Sequence, residues 1–75
     1  MTYLEVVYRY RATATEKEMR AVDAIREIYG IQRIQFNQEV RTLKVMFDAS
    51  RLNENVIASL LRRAGVDIEE RLALA

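Results

Sequence analysis

Ile31-Gln32-Arg33-Ile34-Gln35-Phe36-Asn37 and Thr42-Leu43-Lys44-Val45-Met46-Phe47 decide the fold, read together with what flanks them. Both stretches alternate with the period of two that makes a half-buried strand. Ile34 and Phe36 fall on one face of the first, Arg33 and Gln35 on the other. In the second, Leu43, Val45 and Phe47 point inward, and Thr42, Lys44 and Met46 point outward. The short break from Asn37 to Arg41 reads as a hairpin, so the two strands are antiparallel neighbours. Asp48-Ala49-Ser50 leaves the sheet.

Helical spacing flanks the hairpin on both sides. Upstream, Met19, Val22, Ile25 and Ile28 recur every third residue beside Ala21, which predicts a helix over 15–29 with one apolar stripe. Thr15 with Glu18, or Thr13 with Glu16, has the spacing of a capping box, in which the hydroxyl takes an orphan N–H of the first turn. Gly30 stands where a helix-ending glycine belongs. Downstream, Asn53 is a good N-cap for a helix to about Ala64, with Ile57, Leu60, Leu61 and Ala64 inward and Gly65 as its stop.

Two further strands complete the order. In residues 3–10, Leu4, Val6, Tyr8 and Tyr10 alternate with Glu5, Val7 and Arg9. Near the end, Val66 and Ile68 read as a last strand, which Leu72 and Leu74 extend if Glu69-Glu70-Arg71 permit. Strand, helix, strand, strand, helix, strand is the α+β, ferredoxin-like βαββαβ plan, with two helices on one face of a four-stranded antiparallel sheet.

Composition limits what such a domain does. Seventy-five residues leave room for one small core, so residues 1–75 read as a single domain. The chain has no Cys and no His, which removes the thiolate and imidazole ligands, the thiol nucleophile and the commonest general base. No Gly-rich phosphate loop is present, and Ser50 and Ser59 have no base at a suggestive spacing, so no enzymatic activity is expected. Twelve basic against 11 acidic residues argue against a partner held by gross charge, whether nucleic acid or membrane. No signal-like layout and no apolar run of ~20 residues is visible, so the expectation is a soluble cytoplasmic protein.

Gly30 to Asn37, Leu43-Lys44-Val45-Met46-Phe47-Asp48, and Ile57 to Val66 with its Ala64-Gly65 ending resemble the heavy-metal-associated (HMA) domain. This family includes copper chaperones and the N-terminal modules of metal-transporting ATPases. The resemblance implies the same fold. It also implies a Met-x-Cys-x-x-Cys loop between the first strand and first helix, where two thiolates hold Cu(I) or Zn(II). Counting back from Gly30 sets Ala14 and Lys17 at the cysteine positions, whereas counting from Val22 sets Thr15 and Glu18. Neither register supplies a thiolate. Where the family often has Tyr after the last Ala-Gly, this chain has Val66.

The expectation is therefore an HMA-like module without its metal ligands and without a cofactor, acting by contact with a protein partner or by self-association. Its candidate contact loop is Arg11, Thr13, Ala14, Thr15, Lys17 and Glu18. At a former ligand position, the Lys17 ammonium would supply the positive charge that a metal brings. Two alternatives are a copper or zinc protein using Met or carboxylate ligands, and a small-ligand regulatory domain. Met1, Met19 and Met46 are the only sulfurs, and Met19 is expected on the core stripe. Val7 and Met46 on the outer sheet face, or a sheet edge, are the places a second subunit would cover.

Overall fold

The computed structural model describes residues 2–11 and 15–74. Its elements are β1 (Tyr3–Tyr10), α1 (Glu16–Ile25), β2 (Ile31–Asn37), β3 (Thr42–Asp48), α2 (Glu54–Arg63) and β4 (Ile68–Leu74). The sheet runs β2-β3-β1-β4 with every neighbouring pair antiparallel. This is the expected βαββαβ architecture.

The alternation in sequence sets the two faces. Val6 stands opposite Val45, Tyr8 opposite Leu43, and Ile34 opposite Val45. All of these are buried, with Tyr10, Phe47, Val22, Ile25, Ile57, Ala58, Leu61 and Val66, in one core between sheet and helices. Gln32 is an extra residue in β2, because Ile31 pairs with Phe47 and Arg33 with Met46. Such a bulge bends and twists the edge strand.

The first helix is shorter than its apolar spacing predicts. It ends at Ile25, with Arg26 as C-cap, not at Tyr29. The chain continues in tighter turns, with the Glu27 N–H donating to Ala24 O at 3.2 Å and the Ile28 N–H to Ile25 O at 3.0 Å. These i→i+3 bonds keep Ile28 against the core while the chain swings towards β2. Gly30, at φ +105°, completes the swing, and its carbonyl accepts the Asp48 N–H at 2.7 Å. Met19 does not lie in the core as expected. It is 37% exposed, and its Sδ accepts a contact from Gln38 Nε2 at 3.8 Å.

The second helix follows the reading closely. The Asn53 side chain accepts the Val56 N–H at 3.0 Å. At the other end the Gly65 N–H donates to Arg62 O and the Val66 N–H to Leu61 O, which is the Schellman pattern with Gly65 at φ +94°. Val66 therefore packs into the core as the residue after the cap and lies outside the strand. The last strand does cross Glu69-Glu70-Arg71, reaching Leu74. Backbone pairing with β1 carries it, with register shifts either side of the Tyr8 and Arg9 pairs. Arg9 also meets Glu70 directly across the ladder at 2.9 Å.

Candidate contact surface at the start of the first helix

The candidate loop leaves β1 at Arg11 and enters α1 at Thr15. Thr13 and Ala14 lie outside the described residues, so the structure bears on Arg11, Thr15, Lys17 and Glu18. Arg11 is held from two sides. Its N–H donates to Asp67 O at 3.0 Å, and its carbonyl accepts Arg41 Nη1 at 2.9 Å. Arg41 reaches it because the hairpin closes with Arg41 at φ +52°, and its own carbonyl accepts the Tyr10 N–H at 3.0 Å. The Tyr10 hydroxyl donates to Gln38 Oε1 at 2.8 Å. The exit of β1 is thus tied to the β2–β3 turn and to the segment leading into β4.

At the helix start, only half of the expected Thr15–Glu18 box is made. Thr15 is the N-cap, but its hydroxyl gives no side-chain cap to the helix backbone. It donates instead to the Glu18 carboxylate. That bond is the main reason the Glu18 carboxyl titrates below its ordinary 4.5, with the backbone N–H groups of Glu18 and Thr15 and the charge of Lys17 adding to it. The Thr15 N–H is the reciprocal half of a capping box. A hydroxyl can donate and accept at once; here it donates to the carboxylate in a charge-assisted bond, and no N–H of the first turn donates to it. For the other expected box, Thr13 is outside the described residues, and Glu16 pairs with Arg20.

Glu18 also touches the end of α2. A Cβ on Gly65 would stand 3.4 Å from Glu18 Cγ. Lys17 is exposed and forms no ion pair among the described residues. Beside the loop lies an open groove of about 360 Å³ lined by Arg9, Arg11, Glu39, Val40, Arg41 and Glu69. Val40 at the hairpin tip is 58% exposed. Asp67, Gly65, Gln38 and Arg41 were not legible as members of this surface. Each comes from a distant segment, and a hairpin or cap signal says nothing of what it faces.

The donor set does not fit a soft metal. The chain has no cysteine, the Glu18 carboxylate is engaged by Thr15, and Lys17 is a cation. No group of three His, Cys, Asp or Glu side chains able to hold a metal occurs among the described residues. Met19 faces Gln38, and Met46 stands on the outer sheet face opposite Glu5, so these sulfurs do not converge. No helix among the described residues is long and apolar enough to cross a membrane.

No protein-family model matches the chain, and no curated protein matches it. Solved structures do. Oxidized MerP from Ralstonia metallidurans CH34 superposes with a TM-score of 0.74 at 16% identity, covering 91% of this chain and 96% of that one. The N-terminal domain of PacS from Synechocystis PCC6803 gives 0.68 at 16% identity, with 92% and 97% covered. The apo HMA domain of the copper chaperone for superoxide dismutase gives 0.65 at 19% identity, with 91% and 66% covered. The expected resemblance thus holds at the level of three-dimensional structure, and this cysteine-free chain carries the fold of the heavy-metal-associated domains.

Proposed function

We propose that the protein is a non-catalytic HMA-fold module that works by contact with a protein partner. Its contact surface is the remodelled loop: Arg11, Thr15, Lys17 and Glu18, with Thr13 and Ala14 from the same segment. One observation carries this reading. The Thr15 hydroxyl donates to the Glu18 carboxylate at the helix start, so the described end of the loop is tied to α1 by its own side chains, without a metal. Lys17, exposed and with no ion pair among the described residues, and the groove beside Arg11, where the exposed Val40 stands among charges of both signs, offer polar and apolar contacts to such a partner. Opposed charges set orientation and partner choice more than affinity. A cysteine-free chain suits a reducing cytoplasm, and we place the module there.

The test is a titration of the purified chain with Cu(I) and Zn(II) against a competing chelator, with a photo-crosslinking residue placed in cells at Lys17 and, as control, at Arg63. The reading expects no stoichiometric metal binding and partner adducts from position 17 alone. One tightly held metal per chain would return the protein to metal handling through non-thiolate ligands. Equal adducts from both positions would remove the loop as the contact surface.

A further inference from the structure

The two edges of the sheet are not alike. β4 is exposed from Glu69 to Leu74 and carries Glu69, Glu70 and Arg71 at its middle. A two-fold pair of antiparallel strands sets one residue opposite its own copy. Centred on the middle of β4, that residue is Glu70 or Arg71, and like charges directly opposite destabilise pairing. Charges of this kind guard an edge. β2 carries one charge, Arg33, in seven residues.

The hydrogen-bond phase of β2 follows from its neighbours. The Tyr10 N–H donates to Arg41 O and the Ala49 N–H to Thr2 O, which fixes the β1–β3 register at both ends. By alternation, Leu43, Val45 and Phe47 turn their backbone groups to β1. Ile34, opposite Val45, then turns its N–H and C=O to the open edge, as does Phe36 opposite Leu43. The structure bears this out directly: Arg26 Nη2 reaches round and donates to the Ile34 carbonyl at 2.9 Å. One of the exposed edge acceptors is thus covered by a side chain from the end of α1.

We infer that the free edge of β2 is a docking edge for a second copy of this chain, the two β2 strands pairing antiparallel about Gln35, with Arg26 shielding that edge in the monomer. Centred on Gln35, the pairing sets Ile34 against Phe36 of the second copy, twice. These are hydrogen-bonded pairs and make four backbone bonds. The same register puts two apolar side chains together on the helix-covered face, and Arg33 against Asn37 on the outer face. No like charges meet. The result is one continuous eight-stranded sheet with all helices on one side. This surface is separate from the loop of Arg11 to Glu18, and neither reading rests on the other.

A single edge buries less than the ~1,200 Å² of stable interfaces, so the dimer is weak. Sedimentation velocity from about 1 mM downward, a concentration that matches about 4 kcal/mol of association, reads it. The full chain is expected to dimerise reversibly. Gln35→Glu weakens the dimer about five-fold by setting like charges at the axis. The same change is harmless to the monomer, because the new carboxylate faces Lys44 across the ladder. Arg26→Ala, which bares the edge, tightens the dimer. The absence of native cysteine makes a trap possible. Gln35 sits in a non-hydrogen-bonded pair with its copy, at a Cα separation of about 4.5 Å, within disulfide reach. Gln35→Cys therefore gives a disulfide-linked dimer under mild oxidation, and Asn37→Cys does not. A monomer up to 1 mM, or a dimer indifferent to Gln35→Glu and not trapped by Gln35→Cys, would overturn the proposal. A dimer unchanged or weakened by Arg26→Ala would overturn the shielding role of Arg26.

Discussion

The Tyr8 hydroxyl donates to Glu54 Oε1 at 2.6 Å, joining the buried centre of β1 to the first turn of α2. Burial pushes the Tyr8 hydroxyl well above its ordinary 10, and the bond to Glu54 and its negative charge push it further. A raised folded-state value means that the native state holds its proton where the unfolded chain has lost it. The stability from this link is complete below about pH 10 and falls away as the pH rises beyond that. Tyr8→Phe should cost about 1–2 kcal/mol at neutral pH and flatten the decline of melting temperature above pH 10. Thermal melts of both proteins from pH 7 to pH 11.5 check it. A parallel decline in the two would reject the assignment.

Asp48 shows the opposite sign. Its carboxylate accepts the Ser50 hydroxyl at 2.6 Å and the Ser50 N–H at 3.0 Å, and it faces Arg51. The Ser50 hydroxyl is the main cause of a carboxyl held below its ordinary 3.8. A lowered folded-state value gives stability that is present above about pH 4 and is lost as the pH falls through the folded value. Asp48→Asn should therefore lower the melting temperature at pH 7 and narrow its gap from wild type as the pH drops towards 2. A gap that widens on acidification would contradict this.

The two glycines are predicted to differ. Both have positive φ, so any side chain is strained at either. At Gly30 an added Cβ would also stand 2.9 Å from Leu52 Cδ1, whereas at Gly65 it meets, among the described residues, only Glu18 Cγ at 3.4 Å. Gly30→Ala should cost roughly 2–3 kcal/mol and Gly65→Ala about 1 kcal/mol. Urea denaturation would read the order, and the reverse order would count against the geometry.

The helix caps offer a matching contrast. Asn53 bonds a helix N–H, so Asn53→Ala should cost about 1 kcal/mol. Thr15 makes no such bond, so Thr15→Ala should cost less. Its effect appears at Glu18, whose carboxyl should move up towards 4.5 once the hydroxyl is gone. Carboxyl carbon chemical shifts followed through a pH titration test this, and an unmoved Glu18 would sink the account.

Much of the fold is legible in these residues because strand alternation and helix spacing are local. Leu43, Val45 and Phe47 read as inward and are all buried. The misreadings share a cause. Ile28 continues the spacing of α1, yet it sits in tightened turns that the pattern cannot tell from helix. Glu69-Glu70-Arg71 look unlike strand because an exposed edge asks no apolar residue of its side chains. At the site, the Thr15–Glu18 pair is legible by spacing. The bonds from Arg41 and Asp67 to Arg11 are not.

The sequence by itself determined the order of elements, which face of β1, β2 and β3 is buried, where α2 starts and stops, and the absence of any thiolate. Those properties belong to single residues or short periods. Only the tertiary structure decided which hydroxyl meets which carboxylate, that β2 and β4 form the two edges of the sheet, and that Arg26 covers the Ile34 carbonyl. Each of these depends on the closeness of segments far apart in the chain, which packing sets and local pattern does not encode.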